Sequence, residues 1–259
     1  MGQILKYPGS KTRIADWICS RMPRHTVYLE PYFGSGSVFF HKAPVRIETI
    51  NDLDLHVVNF FECCRNYPEE LQHALELTPY ARQEYNNAYL IDEKDSKVER
   101  ARKFAVRCWF GFGCGNRYKN GFRTSQQSSS PCTTRNWNTF IHSIPDIMKR
   151  LMNVQIECKP ALELLDMYDT CDVFIYLDPP YLPSIRKKYQ YVHEMSEQDH
   201  IDLLEKIVNH PAKIMISGYD NDLYRYYLKN WTWDARDAQA EGGVVRREVI
   251  WYNYGMEEE

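Results

Sequence analysis

No two of the eight cysteines (19, 63, 64, 108, 114, 132, 158 and 171) form a Cys-x-x-Cys pair, so the sequence offers no metal site of the zinc-ribbon kind. No apolar run is long enough to span a bilayer and no signal peptide opens the chain. The expectation is an intracellular protein with reduced thiols and no membrane contact. Charge of one sign is also missing: 32 Lys and Arg against 35 Asp and Glu leave −3, so the chain as a whole does not advertise a polyanion partner. The full G-x-G-x-x-G fingerprint of dinucleotide binders is absent, which argues against a nicotinamide oxidoreductase. There is no internal repeat, and the one low-complexity patch is Ser128–Ser130.

What is present is a chain of 259 residues with 44% hydrophobic content, enough for one large α/β domain or a catalytic domain with an insertion. Its most informative stretch is Asp178-Pro179-Pro180-Tyr181, preceded by Val173-Phe174-Ile175-Tyr176-Leu177. Five apolar residues rich in β-formers read as a buried parallel strand, and ligands of open α/β sheets bind beyond the carboxyl ends of such strands. Asp178 offers carboxylate acceptors. Each proline lacks an N–H and fixes φ, so the turn is stiff and the Pro179 carbonyl has a set direction. Tyr181 offers a flat ring. Acceptors beside a ring suit an amino group on a planar heterocycle, whereas a lone Asp-Pro-Pro would be only a tight turn.

From the amino terminus, Lys6-Tyr7-Pro8-Gly9-Ser10-Lys11 precedes a helical spacing of Ile14, Trp17, Ile18 and Met22 that Ser10 is expected to cap and Pro23 to close. Val27-Tyr28-Leu29 reads as a strand and runs into Glu30-Pro31-Tyr32-Phe33-Gly34-Ser35-Gly36-Ser37, a glycine turn that lets a ligand approach the backbone. A second strand over 47–50 ends at Asn51-Asp52. Asp52 lies 18 and 16 residues beyond Gly34 and Gly36, a fitting place for an acceptor of ribose hydroxyls. Asp54 is the alternative, or the N-cap of a buried helix over 55–64. Helices are expected over 69–77, 80–90, 98–109 and 139–151. The sheet resumes at 154–157, followed by a short helix over 161–167 and the strand into Asp178. Leu182–His193 is expected to be a mobile loop beside the site. Ser196 and Asp199 form a capping-box pattern for the next helix. A strand over 213–217, a helix over 221–229 and a closing hairpin, 231–236 with 248–254 around a flexible Gly242-Gly243 linker, complete the chain.

The charge is unevenly placed. From Arg100 to Arg150 ten Lys and Arg face a single acid, Asp146, so this window carries +9 and the rest of the chain −12. Such asymmetry points to a nucleic-acid face on an acidic body. Within it, Asn116-Arg117-Tyr118-Lys119-Asn120-Gly121-Phe122-Arg123 contains an Asn-Gly hairpin signal and side chains of the kind that read base edges, with Arg135 further on. A solvated surface loop is the plain alternative.

In their order, these motifs resemble the Dam family of DNA adenine methyltransferases: Lys6 to Lys11, Glu30 to Ser37, Asn51-Asp52, an intervening segment, then Asp178 to Tyr181. The resemblance implies a Rossmann-like α/β fold, mostly parallel with an antiparallel closing hairpin, in which 1–66 and 152–259 form the catalytic domain. Residues 67–151 would form an inserted, mainly helical target-recognition domain with a β-hairpin near 116–127. It implies S-adenosylmethionine as cofactor, S-adenosylhomocysteine as product, no metal, and a monomer acting on double-stranded DNA. Tyr7, Lys11, Glu30, Phe33, Gly34, Gly36 and Asp52 would bind the cofactor. Asp178, Pro179, Pro180 and Tyr181 would be catalytic, with Tyr181 stacking on a flipped adenine. Arg117, Lys119, Asn120, Arg123 and Arg135 would contact DNA, and GATC, the commonest target of the family, is the default site. One departure is Cys158-Lys159-Pro160, where the family often has an acid that binds the cofactor's adenine.

The implied chemistry needs no covalent enzyme intermediate. The exocyclic amine of adenine is a poor nucleophile because its lone pair is delocalised into the ring. Asp178 and the Pro179 carbonyl can accept its two hydrogens while the methyl transfers in line. Competing readings are an amino-methyltransferase acting on cytosine, RNA or a protein glutamine, and a DNA-binding regulator with a vestigial site. The intact Asp178-Pro179-Pro180-Tyr181, Lys11 and Asp52 speak against decay.

Overall fold

A computed structural model describes residues 2–90, 92–113, 118–185, 191–239 and 245–255. The strands are β1 (Val27–Glu30), β2 (Ile47–Asn51), β3 (Val154–Glu157), β4 (Val173–Leu177), β5 (Lys213–Tyr219), β6 (Thr232–Gln239) and β7 (Val245–Tyr252). They form one sheet in the order β3-β2-β1-β4-β5-β7-β6. The pairs from β3 to β5 are parallel, and β7 runs antiparallel to both β5 and β6. This is a Rossmann-like mixed sheet, mostly parallel with an antiparallel closing hairpin, as expected. Every residue of β4 is buried, because helices cover both faces of the sheet at its centre.

Alternation along β4 divides the core. Phe174 and Tyr176 point to one face with Tyr28, Met215 and Ile250, while Val173, Ile175 and Leu177 point to the other with Leu29, Ile214 and Ile216. On the first face lie α1 (Ala15–Cys19), α2 (Ser37–His41) and α3 (Leu55–Asn66), then α4 (Pro68–Glu76), α5 (Arg82–Asn87), α6 (Lys97–Phe110), α7 (Thr133–Ile141) and α8 (Ile144–Leu151). On the second lie α9 (Ala161–Met167), α10 (Glu197–Val208) and α11 (Asp222–Tyr227). The capping box of α10 forms as read, with Ser196 and Asp199 bonding each other's backbone N–H.

Residues 67–151 do not enclose a core of their own. Phe104, Phe110, Trp137 and Phe140 of the insert belong to the same apolar cluster as Phe60 and Phe61 of α3 and Tyr28 of β1. An ion pair reinforces the join: Arg150 of α8 bonds Glu48 of β2, and its guanidinium lies 3.7 Å from the centre of the Phe39 ring.

Three local expectations changed. Ser10 does not cap α1, which starts at Ala15 after an uncapped Ile14. Gly9, at φ +70°, turns the chain, and the Ser10 hydroxyl bonds Ser37 at 2.8 Å instead. The helix read over 139–151 is two helices, α7 and α8, because Pro145 sits in the first turn of α8, where its missing N–H costs nothing. Around the expected hairpin near 116–127, the described residues carry an isolated antiparallel bridge between Gly111 and Phe122. Residues 114–117 lie outside the described residues, as do 186–190 and the Gly242-Gly243 linker.

Candidate active site

The order of the sheet places a crevice between β1 and β4. From β1 the chain moves outward to β2, and from β4 it moves the opposite way to β5, so the loops leaving their carboxyl ends separate. An open cleft of about 820 Å³ lies there. Of the residues singled out from sequence, Tyr7, Lys11, Glu30, Phe33, Gly34, Asp52, Asp178 and Pro180 line it. Gly36, Pro179 and Tyr181 stand behind this lining. Segments far apart in the chain therefore meet at one sheet end.

The glycine turn is built by backbone need. Gly34 and Gly36 have φ of +51° and +65°, a region that disfavours a Cβ. A Cβ on Gly34 would stand 3.0 Å from the Tyr7 ring, and one on Gly36 would stand 2.4 Å from Phe33. Gly36 thus serves packing, while Gly34 also borders the cleft. The Gly34 amide donates to Asp52 at 2.8 Å, and the Asp54 amide donates to the other Asp52 oxygen at 2.8 Å. Burial nevertheless pushes the Asp52 carboxyl up to about 7. Asp54 caps α3 by accepting from the His56 amide at 2.9 Å. Glu30, almost fully buried, accepts from the Tyr28 hydroxyl at 2.7 Å, and burial raises its carboxyl to about 8. Above the turn, Ser10, Thr12, Ser35 and Ser37 form a cluster of hydroxyls with contacts of 2.8 to 3.2 Å.

At the other end of the cleft, Lys11 Nζ lies 2.9 Å from Asp178 Oδ1 and donates to the Gly9 carbonyl at 2.8 Å. The Lys11 side chain is 5% exposed and that of Asp178 18%, so the carboxylate is the member of the pair that the cleft can reach. Burial alone would lower the Lys11 ammonium, but the charges of Asp178 and Glu248 outweigh it and hold it above its ordinary value. Burial raises the Asp178 carboxyl against the pull of Lys11. The Tyr181 hydroxyl donates to Glu248 at 2.7 Å. Its ring has Lys11 Nζ 4.7 Å from its centre and meets Tyr219 nearly edge-on at 4.6 Å.

The basic window looks different in space than in sequence. Arg102 bonds Glu84 and Glu99, Lys103 bonds Asp95, and Arg150 bonds Glu48. Those acids lie outside the window, so its +9 overstates the free charge. Lys119 and Arg135 are exposed, and Arg123 is partly buried, donating to the Gly111 carbonyl at 3.0 Å. Asn120 is partly buried and its carbonyl accepts from Tyr85 at 2.8 Å. Arg117 lies outside the described residues. Phe112 and Tyr118, both exposed, place aromatic surface beside these cations. The Trp109 indole bonds the Ile4 carbonyl at 3.0 Å, which ties the base of this loop to the amino-terminal segment of the cleft.

A family model, D12 class N6 adenine-specific DNA methyltransferase, matches residues 7–241. The chain belongs to that family. The type II methyltransferase M1.LlaDCHI of Lactococcus lactis subsp. cremoris is 25% identical, over 96% of this chain and 94% of the relative. The type II methyltransferase M.MjaIII of Methanocaldococcus jannaschii is 23% identical, over 85% of each chain. In this adenine-specific DNA methyltransferase, methyl transfer calls for S-adenosylmethionine and DNA as substrates. Among the described residues, no His, Cys, Asp or Glu group could hold a metal ion, and no helix is long and apolar enough to cross a membrane.

Sequence reading missed part of the enzyme's cleft. Glu248 of β7 and Tyr219 of β5 pair across the β5–β7 ladder and contact Tyr181 without lining the cleft themselves. The one available signal was an acid opening the apolar run Val249-Ile250-Trp251. Tyr191, His193, Glu194 and Met195 line the cleft, whereas Glu157 and Lys159 do not and instead approach each other at 3.7 Å.

Proposed function

We propose that the enzyme methylates the exocyclic amine of an adenine flipped out of duplex DNA, with the reaction at Asp178. The observation that carries this reading is a carboxylate at the end of β4, reachable from the cleft and held at 2.9 Å by a buried lysine. A fixed acceptor of this kind accepts a hydrogen of the amine and gains strength as the nitrogen becomes cationic, so it lowers the barrier rather than only tightening binding. The Pro179 carbonyl would take the second hydrogen.

The residues present fit S-adenosylmethionine, which supplies an electrophilic methyl on a sulfonium. Gly34 leaves space that a Cβ would fill against Tyr7. Asp52 would accept from the ribose hydroxyls, with Asp54 engaged as a helix cap. Glu30, Phe33, Tyr7 and the Ser35 and Ser37 hydroxyls would surround the methionine end, Gly36 would shape the turn, and Lys11 would orient Asp178.

Residues 67–151 would carry target recognition. Lys119 and Arg135 would meet phosphates, and Asn120, Arg123 and Arg117 would read or flank the bases. Tyr181 would stack on the flipped adenine. It is 8% exposed, so a base reaching its face displaces a neighbouring side chain. GATC is the first target to test, and the type II relatives favour a place in restriction–modification.

The test is methyl transfer from labelled S-adenosylmethionine to duplex DNA, followed by sequencing of modified bases in a host that expresses the protein. Methylation at adenine in one short sequence is expected. Label on cytosine, on RNA alone or on no nucleic acid would overturn the proposal.

A further inference from the structure

We propose that Glu248, on the closing strand, is a positioning residue for the methyl-acceptor site, acting through the Tyr181 hydroxyl; this rests on the role given above to Asp178-Pro179-Pro180-Tyr181. The strand changes character at Glu248, which is half-buried and follows Arg246 and Arg247. Val249, Ile250, Trp251 and Tyr252 follow it and are all buried. Burial also raises the Glu248 carboxyl, against Lys11 and the bond from Tyr181. A partly desolvated carboxylate needs a partner that holds it.

The geometry supplies one. Glu248 pairs in register with Tyr219, so both side chains leave the same face of the sheet. Arg246, two residues back and thus on that face, lies with its guanidinium 5.0 Å from the centre of the Tyr219 ring. The resulting wall meets the loop after β4 at Tyr181. The Tyr181 hydroxyl bonds Glu248 at 2.7 Å while its ring touches Tyr219 at 4.6 Å and Lys11 at 4.7 Å. Two of these contacts are ring contacts, which a tyrosine can slide along. The hydrogen bond is directional and sets the rotation and depth of the ring. Because Pro179 and Pro180 stiffen the link from Asp178 to Tyr181, fixing the ring also fixes the carboxylate.

The experiment is single-turnover methylation of duplex DNA with both substrates saturating, accompanied by calorimetric cofactor affinity and melting temperature. Glu248→Ala should slow transfer by about 10- to 100-fold, the range for a misplaced reacting group, with cofactor affinity changed by less than about two-fold. Tyr181→Phe, which removes only the hydroxyl, should slow it by a similar factor. The double variant should be no slower than the slower single one, since each removes the same bond. Glu248→Gln keeps an acceptor oxygen and should recover most of the rate. A Glu248→Ala rate within about three-fold of the parent, effects that multiply in the double variant, or no recovery with Gln each overturns the inference. Should Glu248→Ala fail to fold, Tyr181→Phe with the parent rate overturns it. Asp178→Ala is the control. If that variant still methylates, the reading of the site is wrong; if it is inactive while Glu248→Ala is normal, only the role of Glu248 is wrong.

Discussion

The cleft and the insert hold charge in opposite ways. In the cleft, Lys11 and Glu30 are buried and Asp178 keeps a small exposure, with each group held by a named partner. In the insert, Lys119 and Arg135 are exposed, whereas Arg102, Lys103 and Arg150, each with a carboxylate partner and little exposure, serve the fold. Buried charge acts through its protonation state and geometry, so single substitutions should remove chemistry. Exposed charge acts by number and spacing against a polyanion, so single substitutions should weaken binding in proportion and salt should erase it.

The largest expected effect would break the two regions apart. Asp178→Ala should reduce single-turnover methylation by about 10³-fold or more while duplex affinity, measured by fluorescence anisotropy, stays near that of the parent. If DNA affinity falls in step with the rate, the cleft and the insert are not separable and the comparison fails.

A smaller effect is expected on the insert side. Lys119→Gln with Arg135→Gln should weaken DNA binding and reduce the slope of log affinity against log salt by up to about 1.8, near 0.9 for each lost phosphate contact. Cofactor affinity should not change. Arg102→Gln sharpens the point: its charge pairs with Glu84 and Glu99, so it should lower thermal stability and leave the salt slope alone. A slope that drops equally in both variants would mean that total charge, not exposed charge, sets DNA affinity.

The smallest effect concerns protonation in the cleft. The native Glu30 carboxyl holds its proton up to about 8, whereas the unfolded one releases it in the ordinary carboxylate range. Between those limits the unfolded state binds fewer protons, so stability falls as pH rises. Glu30→Gln cannot lose that proton. Its urea-unfolding free energy should fall less than the parent's between about pH 5 and about pH 9. Equal falls would show that Glu30 is ionised in the native protein.

Legibility from sequence followed the distance between interacting groups. The strand entering Asp178, the glycine turn and the Ser196–Asp199 cap are written in adjacent residues, and each formed where it was expected. Asp52 and Asp54 could be told apart only in space, where the Asp54 side chain caps α3 at His56. The bond from Tyr181 to Glu248 spans 67 residues, and no periodicity announces it. The basic window misled for the same reason, because Glu48 neutralises Arg150 from 102 residues away. The break between α7 and α8 was legible in principle. Pro145 marks it, but continuous apolar spacing on either side reads as one helix.

The shared core of the insert bears on how such an enzyme acquires a new target. Phe104, Phe110 and Trp137 pack in one cluster with residues of the catalytic sheet, and Arg150 fastens α8 to β2. Residues 67–151 are therefore not a cassette that can be lifted from one relative into another, since the graft would leave an unmatched apolar surface on both pieces. If residues 67–151 read the target, as proposed, change of specificity falls to exposed side chains such as Phe112, Tyr118 and Lys119, which can be replaced without repacking.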